Sequence, residues 1–144
     1  MNFELSPEQE LMRETFARFL SEESPMERVR AALPSGFDPP LWTGLAELGA
    51  FSLRVPQVAG GLGLGLQDAL ILMEEVGRTL ASGPVAETLI AAEMLARCDA
   101  TGAQRVLLEK VLAGKAVIGI AFHDVAAQPL QWIAGTAGPV MSWA

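Results

Sequence analysis

The sequence predicts a mainly α chain, with about five helices over residues 1–114 followed by a short, incomplete β region over 115–144. Three observations carry this. Apolar residues recur at three- and four-residue spacing between clear start and stop signals up to Gly114. A glycine-crowded elbow at 50–65 interrupts that pattern once. After Lys115 the chain keeps one acidic residue, Asp124, and has no Lys or Arg, while β-branched residues gather in Val117-Ile118-Gly119-Ile120.

The first helix, about 7–22, begins with Ser6 as N-cap, Pro7 at its first position and Gln9 placed to bond back, and Leu11, Met12, Phe16, Phe19 and Leu20 form its apolar stripe. Pro25, Pro34 and Gly36 mark 23–37 as a loop with room for one helical turn. Asp38-Pro39-Pro40 opens the second helix, whose buried face is expected to be Leu41, Trp42, Leu45 and Leu48, and Gly49 ends it. In the elbow, Pro56 fixes an extended entry, and Gly60, Gly61, Gly63 and Gly65 permit positive φ or close backbone approach.

The third helix runs from Leu66 to about Leu80. Its spacing places Leu66, Ala69, Leu70, Met73, Val76, Gly77 and Leu80 on one side and Asp68, Glu74, Glu75 and Arg78 on a solvated one. Ser82-Gly83-Pro84 starts the fourth, where Glu87, Glu93 and Arg97 leave only a thin polar strip, so most sides are expected to be buried. Thr101 and Gln104 form a capping box for the fifth, which carries Val106, Leu107, Val111 and Leu112 and stops at Gly114. The 117–122 segment is a strand, and the remainder, broken by Pro129, Gly135, Gly138 and Pro139, supplies one or two more. A domain boundary is drawn near 114.

Composition narrows the function. Lys+Arg 10 against Asp+Glu 17 gives a net charge of −7, which repels a phosphate backbone or an anionic membrane, so nucleic acid is not an expected partner. The single cysteine, Cys98, excludes an intramolecular disulfide and, with no Cys/His cluster, a metal site; it is expected to be an inert buried thiol in a reducing, cytoplasmic setting. The acidic start MNFELSPEQE has no secretory pattern, and no apolar run approaches a bilayer span, so no membrane insertion is expected. Gly63-Leu64-Gly65-Leu66-Gln67-Asp68 lacks the third glycine of a dinucleotide loop, and Leu66 stands where a P-loop needs lysine. The elbow therefore reads as a tight connection that packs two helices. Glu74 and Glu75, about 100° apart on a helix, do not make a catalytic carboxylate pair.

The elbow residues Val55-Pro56, Gly60-Gly61 and Gly63, with the helix LQDALILMEEVGRTLASGP that follows, resemble the N-terminal helical domain of the acyl-CoA dehydrogenases, whose elbow reads roughly VP-E-x-Y-G-G-x-G. The resemblance covers about 5–122 here and only the first part of a typical member. It implies a helical domain followed by a β-domain and a C-terminal four-helix bundle, with FAD between them. It also implies that a carboxylate base removes the α-proton of an acyl-CoA thioester while the β-hydride passes to flavin N5. The family's base belongs to the C-terminal bundle, so no catalytic residue is assigned here and this chain alone is expected to be inactive. The fourth helix would line the acyl tunnel, giving Val85, Leu89 and Ala92 as substrate-binding candidates. The family's flavin-touching motif A-L-T-E-P-x-x-G-S-D falls on Ala121-Phe122-His123-Asp124-Val125-Ala126, with His123 in place of threonine, Val125 in place of proline and no G-S-D. Phe122, His123 and Thr136 are the cofactor-binding candidates. His123 as a strand-end residue exposed to solvent or bonded to a backbone carbonyl, Phe122 as core and Thr136 as a turn residue stand beside that role. Implied partners are acyl-CoA and a second acyl-CoA dehydrogenase-like chain or further copies of this one. The other reading is a non-catalytic structural or assembly subunit that kept the helices and lost the flavin motif.

Overall fold

The computed structural model describes residues 4–98, 102–121 and 140–142. Six α-helices are present among them: α1 Pro7–Glu23, α2 Met26–Ala32, α3 Pro39–Glu47, α4 Leu66–Arg78, α5 Val85–Arg97 and α6 Gly102–Leu112. Two three-residue strands, β1 Gly119–Ala121 and β2 Val140–Ser142, pair in parallel, with Gly119 opposite Val140.

The helix starts follow local chemistry. Gln9 N–H donates to Ser6 Oγ at 3.2 Å while Ser6 N–H donates to Gln9 Oε1 at 3.1 Å, the reciprocal capping box the sequence predicts. The same Gln9 reaches out with Nε2 to Asp68 Oδ1 at 3.0 Å, and Asp68 Oδ2 accepts from Gly65 N–H at 2.8 Å, capping α4. One glutamine thus ties the starts of α1 and α4 together. Asp38 caps α3 by accepting from Leu41 N–H at 3.1 Å.

The short helix α2 stands where a loop is expected. Its flanking prolines hide it in sequence, and its support is tertiary. Val29 and Ala32 are buried, and Arg28 donates to Asp38 through Nε (3.1 Å) and Nη2 (2.7 Å) and to Glu23 through Nη1 (2.6 Å).

Two apolar clusters fill the interior. The first surrounds Trp42, whose ring lies 4.3 Å from that of Phe51 and 5.4 Å from that of Phe37, and includes Phe16, Leu20 and Leu72. The Trp42 indole N–H is buried without an acceptor among the described residues, a cost of about 1–3 kcal/mol that the ring's burial must offset. The second cluster joins Val55, Ala91, Ala92 and Leu95 to Leu108 and Val111 of α6 and to Ile118 and Ile120 at β1. Thr88, fully buried, donates from Oγ1 to the Ile118 carbonyl at 3.2 Å, fastening the strand to α5.

Four expectations are corrected. Leu48, expected on the buried face with Leu41, Trp42 and Leu45, is 38% exposed because it lies past the last turn of α3, at its C-cap. On α4 the buried residues are Ala69, Ile71, Leu72, Glu75 and Val76, while Leu66 and Leu70 are 61% and 57% exposed. The helix is covered over a wide arc that includes Ile71 and Glu75, so the single apolar stripe does not mark its inner side. Glu75, placed on a solvated face, is 4% exposed, with Arg78 Nε 3.3 Å from its Oε2, whereas Glu74 and Arg78 are solvated as expected. Cys98 is exposed rather than buried, because it lies just past the last turn of α5, beyond the core.

Candidate functional site

The elbow is a closed piece of backbone. Two short 3-10 turns, Ala50–Ser52 and Gln57–Ala59, lead into it. Leu62 N–H donates to Ser52 O (2.9 Å), Gly63 N–H to Val55 O (2.8 Å) and Leu64 N–H to Leu53 O (2.8 Å), folding 62–64 back on 52–55. Gly61 sits so close to this strap that a Cβ there would lie 2.1 Å from Val55 O, which is why only glycine fits. The amides of Ala59, Gly60 and Gly61 donate to Pro56 O, Gln57 O and Pro56 O, and that of Gly65 to Asp68. Every N–H across 59–65 is therefore spent inside the elbow, and none is left to cradle a phosphate. This agrees with the reading of the elbow as a packing connection.

The elbow is pinned to α5 by charge. Arg54 donates from Nε and Nη2 to the two oxygens of Glu93, each at 2.8 Å, and Arg97 donates from Nε to Glu93 Oε1 at 2.9 Å. The Arg54 guanidinium, with Arg97 assisting, holds the Glu93 carboxyl below the usual glutamate range. The thin polar strip expected on α5 is thus a built contact, formed with a partner 39 positions earlier in the chain.

The three tunnel candidates lie on one helix but in two environments. Val85 and Leu89, 2% and 5% exposed, belong to the Trp42 cluster, and Ala92, fully buried, belongs to the second. The outward apolar residues nearby are Ile90 on α5, Leu66 and Leu70 on α4, and Val58, Leu62 and Leu64 on the elbow. Sequence periodicity did not single these out as outward-facing. An open hollow of about 1010 Å³ lies between the elbow and α6, lined by Val58, Leu95, Leu108 and Leu112 with Cys98 and Arg105. The cofactor candidates Phe122, His123 and Thr136 lie outside the described residues. Among the described residues no group of His, Cys, Asp and Glu is arranged to hold a metal ion, and no helix is long and apolar enough to cross a membrane.

Comparison with known proteins follows the helices. The family model described as acyl-CoA dehydrogenase, N-terminal domain, matches residues 6–115. Acyl-CoA dehydrogenase IpdE2 of Mycolicibacterium smegmatis is 37% identical over 121 residues, covering 82% of this chain and 39% of that protein. Among solved structures, a variant of the Tcur3481-Tcur3483 steroid ACAD superposes with a TM-score of 0.72 at 33% identity, over 81% of this chain and 33% of that one. The FAD complex of PigA superposes with a TM-score of 0.71 at 23% identity, over 86% of this chain and 34% of that one, a likeness of fold. The chain spans about two-fifths of the length of the curated relative it matches.

Proposed function

Since this chain belongs to the acyl-CoA dehydrogenase family, we propose that it serves as the N-terminal helical part of an FAD-dependent oxidoreductase that removes hydrogen across the α,β bond of an acyl-CoA thioester. The observation that carries this is the elbow itself: the residues that match the family's pattern are the ones the fold uses to close 62–64 on 52–55 and to launch α4.

FAD, bound in the assembled enzyme, would supply the hydride acceptor. The described part of this chain is suited to a different task. The amides across 59–65 are all engaged, so the elbow offers no backbone grip to a flavin or a pyrophosphate, and the proposed contribution of the helices is apolar packing. In this reading α5 backs the acyl pocket. Val85, Leu89 and Ala92 fix how closely it approaches, and Phe122, His123 and Thr136 remain the proposed flavin neighbours. A helical unit over 1–114 followed by the start of a β-domain is the proposed organisation, with a reducing, cytoplasmic setting. The remaining parts, including the base that takes the α-proton, come from a longer polypeptide, a second dehydrogenase-like chain or another copy.

The test is reconstitution. Co-expressed with the β-domain and four-helix bundle of a relative, the complex is expected to retain yellow flavin that bleaches when an acyl-CoA from a panel of straight-chain and ring-bearing thioesters is added. A colourless, fully assembled complex would defeat the reading. It would favour instead a non-catalytic assembly subunit, which the departures from the flavin motif at His123 and Val125 already suggest. Loss of turnover in His123→Ala, with assembly intact, would exclude that second reading.

A further inference from the structure

The contact between the elbow and α5 leaves positive charge unbalanced. Two guanidinium groups, Arg54 and Arg97, share the one carboxylate of Glu93, a local excess of a single positive charge in a chain whose net charge is −7. Glu93 takes up Arg54 Nε and Nη2 and Arg97 Nε. Arg54 Nη1 and both Nη atoms of Arg97 make no hydrogen bond with the described residues. Both arginines line an open hollow of about 540 Å³, whose walls include Val58 and Leu64 and whose described lining holds no acidic residue. Val58 is 99% exposed, a fully solvated aliphatic side chain beside two underused cations.

Guanidinium groups with free Nη edges prefer oxyanions that accept two parallel hydrogen bonds, and a doubly charged one gains most from a pair of them. We propose that this hollow is a binding site for a phosphate-class oxyanion, gripped by Arg97 and the free edge of Arg54, with any apolar carrier of that group lying on Val58 and Leu64. Glu93 acts as the positioning residue that holds both guanidinium groups at the rim. Because the elbow amides are spent, recognition falls to side chains alone and should weaken with ionic strength. The site needs neither flavin nor thioester, so it stands or falls separately from the proposed dehydrogenase role.

The experiment uses the whole chain labelled with nitrogen-15, following the arginine Nε–H resonances while inorganic phosphate or n-hexyl phosphate is added at constant ionic strength, with sodium chloride and acetate as controls. The expected result is a saturable shift of the Arg54 and Arg97 signals with either phosphate and not with the controls. Arg97→Gln, at a side chain 64% exposed and so tolerant of exchange, should weaken binding by about tenfold or more. Tighter binding of hexyl phosphate, by about fivefold or more, identifies a phosphorylated apolar molecule as the ligand class. Equal affinity identifies the free ion. A non-saturating drift common to chloride, or binding unchanged in a folded Arg97→Gln chain, overturns the proposal.

Discussion

The cluster around Trp42 mixes aromatic with aliphatic side chains and is drawn from α1, α3, α4, α5 and the segment 50–53, whereas the cluster around Val55 is wholly aliphatic and takes in Ile118 and Ile120 from the strand region. Helix α5 serves both, giving Val85 and Leu89 to the first and Ala91, Ala92 and Leu95 to the second. The buried residues of the first all come from α1 to α5 and the connections between them, with only the half-buried Val117 added from beyond Lys115. The second is completed only by residues beyond Lys115, held by one side-chain hydrogen bond from Thr88. The difference separates what the helical part stabilises alone from what depends on the strand staying docked.

That comparison can be broken most directly at Trp42. Trp42→Ala should cost about 3–5 kcal/mol in urea unfolding, the usual range for removing a buried large aromatic; a loss below about 1 kcal/mol would mean the first cluster is not the main core. Next comes the elbow between the clusters. Gly61→Ala, forced against Val55 O, should destabilise by about 3 kcal/mol, whereas Gly60→Ala, at φ 86 but with open space around it, should cost about 1 kcal/mol. Similar costs at the two sites would refute the close-approach argument.

Thr88→Val sharpens the comparison from the other side. It leaves the Ile118 carbonyl without its partner and should cost about 1–2 kcal/mol, with faster amide exchange at β1 and none at α1 or α4. Uniformly faster exchange would mean that the two clusters open as one unit.

Glu93→Gln should cost about 1 kcal/mol near neutral pH. Because folding lowers the Glu93 pKa, its stabilisation is present above the ordinary glutamate range and is lost as pH falls through the lowered value. The variant should therefore show a flatter stability profile on the acid side, and an unchanged acid limb would argue against the pairing with Arg54. The smallest effect is expected at Glu74→Gln, about 0.3 kcal/mol, since Glu74 and Arg78 are both 63% exposed.

Much of the helical fold was legible because its signals are local. Ser6 with Gln9 and Asp38 ahead of Pro39 announce α1 and α3 within four residues, and the glycine elbow announces both a turn and a family. What escaped was set at a distance. The helix α2 depends on Arg28 finding Asp38 ten residues away, and Glu93 on Arg54 across 39. A periodicity argument assigns one buried stripe per helix, and it failed on α4 where a carboxylate and two apolar residues extend the buried arc. Of the candidate site, α5 was correctly picked as an apolar helix. The burial of Val85, Leu89 and Ala92 follows the spacing, but their division between two clusters was not visible from it, and Phe122, His123 and Thr136 lie outside the described residues.

The bond from Gln9 to Asp68 joins positions 59 apart, and each partner already bonds back to the N-cap backbone of its own helix. Unravelling from either end must therefore cross the same lock: if α1 loosens at its first turn, Asp68 loses a donor, and if α4 loosens, Gln9 is pulled out of register. The molecule's two long-range helix origins behave as one knot, and heat or denaturant should undo them together.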